Sequence, residues 1–101
     1  MPKVTKSEAL HFLSRTRPEF AFWCRDGKIF SDIAELNAGL KAIHPRTFIY
    51  HANAQKNDFS KWVAEVIKDK TLASELKRAK NKIEAAKKVG ARIAYLNRIV
   101  K

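Results

Sequence analysis

Eight basic side chains towards the end of this 101-residue chain are the residues best equipped for chemistry with a partner: Lys77, Arg78, Lys80, Lys82, Lys87, Lys88, Arg92 and Arg98. Ammonium and guanidinium groups act by neutralising phosphate or carboxylate. From Lys70 to Lys101 there are ten Lys or Arg and two acids, Glu75 and Glu84, a net +8; residues 1–69 carry +3. A gradient of this size creates a local field that attracts polyanions. Nucleic acid is the commonest such partner, because neutralising phosphates releases condensed counterions. Arg25, with Arg15 and Arg17, forms a second tier. Against this stands the plainer meaning of any charge run, a solvated helix face.

Other chemistry finds less support. His11, His44 and His51 have neither metal spacing nor companion cysteines, and zinc wants three or four ligands. They read as capping or partly buried histidines, with Tyr50-His51 beside Asn53 a polar cluster that ties a loop or touches nucleic acid. No metal or cofactor is expected. Cys24 is alone among aromatics, which suits a small buried thiol and a reducing cytosol. Asp58 and Asp69 read as helix N-caps, and Asp32 and Glu35 as first-turn acids favoured by the helix dipole. There is no Gly-rich phosphate loop, Walker pattern or nucleophile elbow, so catalysis is not expected. Two tryptophans have the flat faces that stack on bases. Trp62 lies on the apolar stripe of a helix. Trp23 alternates with Phe22 and Cys24; if Phe20, Phe22 and Cys24 face in, Trp23 faces out beside Arg25.

Several elements must position these residues. Thr5 and Glu8 have capping-box spacing and open a short helix with Ala9, Leu10 and Leu13 inward. Aromatic runs flanking Asp26-Gly27 predict a tight two-stranded hairpin over residues 20–30. Ser31 reads as the N-cap of a helix in which Ile33, Leu36, Leu40 and Ile43 recur at helical spacing. Pro45 suits the first position of a short helix to Ala52, with Phe48, Ile49 and Ala52 inward; a strand over 47–50 is the alternative. Asn57-Asp58 caps a helix with Phe59, Trp62, Val63, Val66 and Ile67 as its stripe. Asp69 caps another, with Leu72, Ala73 and Leu76 inward.

The last helix is predicted from Lys82 to about Val100, roughly 28 Å long. Ala86, Val89, Gly90, Ile93, Leu96 and Val100 fall on one side; Lys80, Lys87, Lys88, Arg92 and Arg98 fall on much of the other. Gly90 costs about 1 kcal/mol against Ala unless it allows close packing. Small residues mid-helix suit packing on the chain's own domain or on a second copy. An anionic membrane surface is disfavoured because no Trp or Phe anchors the apolar side.

The stretches Phe48-Ile-Tyr-His51, Asn57-Asp-Phe-Ser-Lys-Trp62 and Asp69-Lys-Thr-Leu-Ala73 resemble a small domain of unknown function in archaea and bacteria. The resemblance covers about residues 18–80. It implies a compact, mainly helical domain with Tyr50, His51, Asn57, Asp58 and Trp62 as structural signatures, and it supplies no activity. The basic segment from Lys77 onward stands outside it.

Apolar residues make up 46% of the chain, and ten aromatics argue for a packed core. No apolar run approaches ~18 residues, and Met1-Pro2-Lys3-Val4 shows no signal-sequence core. The expected architecture is one mainly α (α+β) domain: a helical body over 1–80 with one hairpin, and a basic amphipathic helix over 81–101 packed on it or on a partner subunit. The expected function is sequence-nonspecific binding of double-stranded DNA through phosphates. It would be a nucleoid-associated, chromatin-like protein in the cytoplasm of an archaeon or bacterium, with a homodimer through the last helix as one arrangement. The rivals are an RNA- or ribosome-binding protein and a module that docks an acidic protein.

Overall fold

In the computed structural model, which describes residues 3–101, a capping side chain stands at the start of every α-helix. Met1 and Pro2, part of the stretch read for a signal sequence, lie outside the described residues. Helix α1 (Lys6–Leu13) opens with the reciprocal Thr5–Glu8 box. Helix α2 (Ile33–Ala42) is capped by Asp32, not Ser31. Asp32 Oδ1 accepts from the Glu35 amide at 2.8 Å, while the Ser31 amide donates to Glu35 Oε1 at 2.6 Å. Helix α3 (Pro45–His51) takes Pro45 at its first turn and His44 Nδ1 as its cap, so the strand alternative falls. Helix α4 (Asp58–Trp62) is capped by Asn57 and runs on as a single π-helical turn, Val63–Ile67. That turn ends at Lys68, whose φ of 76° is left-handed, a conformation that normally costs a non-glycine residue. Asp69 caps α5 (Lys70–Arg78) and Asn81 caps α6 (Lys82–Val100).

The hairpin is shorter than its sequence signal. Strands β1 (Phe22–Trp23) and β2 (Ile29–Phe30) pair antiparallel, with Phe22 opposite Phe30 and Trp23 opposite Ile29. Gly27, at φ 93°, makes the turn that few side chains tolerate. Phe20 does not join the strand. Pro18–Phe20 forms one 3-10 turn, the Phe20 carbonyl accepts from Trp62 Nε1 at 2.8 Å, and the ring stays exposed.

Helix α6 lies against α1, α2 and α5, and α4 packs on α5. The interior joins Leu36 and Leu40 of α2, Leu72 and Leu76 of α5, and Val89 and Leu96 of α6, all with exposure of 1% or less. A second, aromatic region centres on Phe22, which stacks on Phe30 and Phe59 and meets Trp62 edge-on, with centroids 5.1–6.0 Å apart. Two inward assignments do not hold: Leu10 and Ile49 are exposed, because their helices are short and each buries only one side. The close packing expected at Gly90 occurs at Gly39 instead. A Cβ on Gly39 would overlap the Phe30 ring, whereas one on Gly90 would meet only Asn37 Nδ2, at 3.5 Å.

Candidate nucleic-acid interface

Six of the nominated cations stand exposed: Lys77 and Arg78 in the last turn of α5, Lys80 in the connection, and Lys87, Lys88 and Arg98 on α6. Among the described residues the ion pairs fall on Arg15, Arg17, His51, Lys56 and Arg92, so none of these six is neutralised by an acid. Of the two acids in the segment, Glu84 is turned to the Lys80 amide, Oε1 accepting at 2.9 Å. Lys87, Ala91, Ala94 and Arg98 are all exposed and follow one stripe of α6, with Lys88 beside it. The stripe runs for about 16 Å between its terminal cations, at 1.5 Å per residue. Alanines between the cations let the helix backbone come close to a surface.

Two nominated residues are spent inside the molecule. Arg92 was expected on the phosphate face. Its side chain is only 10% exposed and pairs with Asp69, which is 1% exposed: Nε donates to Oδ2 at 2.7 Å and Nη2 to Oδ1 at 2.9 Å. An arginine whose donors face a buried carboxylate has no fork left for phosphate. Lys82 reaches back across the domain, its Nζ donating to the Ile43 carbonyl just beyond α2 at 2.6 Å, where the helix dipole favours a cation. In the second tier, Arg15 pairs with Glu35 and Asp32, and Arg17 with Glu19. Among the described residues no acid pairs with Arg25; its guanidinium lies 4.2 Å over the Tyr50 ring.

Basic side chains also line two grooves. Lys77 and Lys80 border one with Lys56 and Asn53. Lys87 and Lys82 border the other with Lys41, around Leu40, Ile83 and Gly90. On the apolar side of α6, Val89 and Leu96 are buried against the chain's own helices, while Ala86 and Gly90 border the second groove.

His51 and Asp58 form a polar tie between two residues that the sequence reads separately, one as a capping or partly buried histidine and the other as a helix cap. His51 is buried, and its Nε2 accepts from the Arg25 amide at 3.0 Å. That fixes the proton on Nδ1, which donates to Asp58 Oδ2 at 2.9 Å. Lys56 Nζ reaches the same oxygen at 3.0 Å. Burial opposes ionisation of Asp58, but the donors from His51 and Lys56 outweigh it and hold the carboxyl below its ordinary range. With both ring nitrogens engaged, the dyad is a brace between hairpin and helix. Burial is also the largest influence on Cys24, pushing its thiol pKa up, as for an inert core cysteine. Among the described residues no three His, Cys, Asp or Glu gather as metal ligands, and no helix is long and apolar enough to cross a membrane.

No protein-family model, curated protein or solved structure matches this chain. The motif residues noted above have structural work of their own. Asn57 caps α4 and donates from Nδ2 to the Leu76 carbonyl at 3.1 Å, Trp62 holds Phe20, His51 holds Arg25, and Tyr50 carries the Arg25 guanidinium.

Proposed function

We propose that the protein binds double-stranded DNA without sequence preference, as a nucleoid-associated protein, through the outer side of α6 and the end of α5. One observation carries this reading: Lys77, Arg78, Lys80, Lys87, Lys88 and Arg98 are exposed, close in sequence, and unneutralised by the protein's own acids. Such a surface gains most from a partner of high negative charge density, because each phosphate neutralised frees a counterion. Long flexible lysines match phosphates without reading base edges, so binding of this kind is nonspecific. The helix backbone is seated on α1, α2 and α5, so only the side chains of its cations have to be ordered on binding.

The test is binding to a random duplex of about 30 base pairs over a range of salt. With about five phosphates neutralised, log K should fall with log salt at a slope near −4.5. Lys87→Glu combined with Arg98→Glu should reduce both the affinity and the slope. An unchanged affinity in that variant would overturn the proposal, and tighter binding to an RNA duplex would move it to RNA.

A second reading has one observation in its favour. The groove around Leu40 and Gly90 exposes Ile83 by 62% and is rimmed by Lys41, Lys82 and Lys87, which suits an apolar segment flanked by acids. Ile83→Glu separates the two, because it would abolish protein docking and leave the cations of the duplex face in place.

A further inference from the structure

The outward face of the hairpin presents a different chemistry from the basic helix. Trp23 is 68% exposed, the largest exposure among the big hydrophobic side chains of the described residues. Its strand neighbours Phe22 and Cys24 are buried, so the pleat itself turns the indole outwards. Opposite it, Ile29 is also exposed and flanks the indole. In the turn two residues on, the exposed Arg25 rests on Tyr50, with its backbone amide pinned by His51. Lys28 is exposed across the turn, and Lys56 lies 4.7 Å from the Tyr50 centroid. The acid in the turn, Asp26, is also exposed, and its Oδ1 is engaged locally, accepting from the Lys28 amide at 3.0 Å.

We propose that this face binds single-stranded nucleic acid, with Trp23 stacking on an unpaired base and Arg25 and Lys28 meeting the flanking phosphates. A flat indole beside cations needs a partner with both a π-face and negative charge, and a nucleotide strand offers both in each repeat. An apolar protein surface would cover Trp23 and Ile29 but desolvate Arg25 and Lys28 without return. A blunt duplex fits poorly because its base faces are already stacked on one another. Arg25 is held in place from both ends, by Tyr50 under its guanidinium and His51 on its amide, so ordering it costs little on binding. Trp23, Arg25 and Lys28 are separate from the cations of α5 and α6, and Lys56 borders both surfaces.

Tryptophan fluorescence tests it directly, because Trp62 is buried and bonded and Trp23 is the indole open to a ligand. Titration with oligo(dT) or oligo(rU) of about twelve nucleotides should quench emission saturably, whereas a blunt duplex of the same length should not. The two oligomers show whether DNA or RNA strands are preferred. Trp23→Ala should weaken oligomer binding about tenfold or more, and Trp23→Phe should recover part of it. An unchanged melting temperature in Trp23→Ala shows that the fold is intact. Absence of quenching, or equal affinity in the alanine variant, overturns the proposal. Quenching by oligomer without duplex binding would leave this site standing and remove the duplex reading; duplex binding without quenching would do the reverse.

Discussion

Arg92 on α6 closes a bidentate ion pair on Asp69, the residue that caps α5, with donor–acceptor distances of 2.7 and 2.9 Å. Asp69 Oδ1 also accepts from the Leu72 amide, so one buried carboxylate both starts α5 and ties it to α6.

Removing the cation alone should therefore be severe. Arg92→Met leaves an uncompensated buried charge and is expected to cost about 3–5 kcal/mol in urea unfolding. Adding Asp69→Asn, which can still cap α5, should restore much of that loss. A double variant less stable than Arg92→Met would contradict the arrangement.

Acid stability should depend on Asp58. Its folded pKa lies below the unfolded value of about 3.9, so its contribution is present above that pH and is lost as pH falls through the folded value. Thermal melts of Asp58→Asn should thus show a shallower decline below about pH 4 than the parent protein. Parallel declines would rule out the His51–Asp58–Lys56 contacts as the source.

The two helical glycines should respond in opposite directions to alanine. Gly39→Ala drives a methyl into the Phe30 ring and should destabilise by about 1–3 kcal/mol. Gly90→Ala meets only ordinary contact and should stabilise by up to about 1 kcal/mol through helix propensity. Paired denaturation curves read both signs.

Charge reversals on the exposed basic stripe should leave the fold alone. Lys88→Glu and Arg98→Glu remove exposed, unpaired cations and should each change stability by no more than about 0.5 kcal/mol. Arg92→Glu should unfold the protein, so any loss of DNA binding in that variant would be uninformative.

The helices were legible because their signals are local. Apolar spacing and capping residues lie within a few positions of one another, and α5 and α6 start at the residues read for them, with Leu72, Ala73 and Leu76 buried as expected. What escaped depends on distance in sequence. Arg92 and Asp69 are 23 residues apart, and nothing in either neighbourhood names the other. A hint was present, since at 100° per residue Arg92 falls about 20° from Ala85, at the margin of the apolar side. Gly39 was missed because its partner, Phe30, lies on another element. Trp23 faces out as alternation with Phe22 and Cys24 implies, while Phe20, the third member of that inward set, is exposed because Pro18 bends the chain before the strand begins.

The seating of α6 has a consequence for synthesis. Helices α1, α2 and α5 precede it in the chain, yet each needs it as a wall of the core. During translation α5 can meet α4 and α1 can meet α2, but the side of each that packs on α6 stays open, and the interior cannot close until the segment from Lys82 onward has left the ribosome. The most basic element is thus also the one whose arrival completes folding. Until then the nascent chain exposes a sticky, incomplete core, and variants that slow the docking of α6 should be found first as lower yields in the cell.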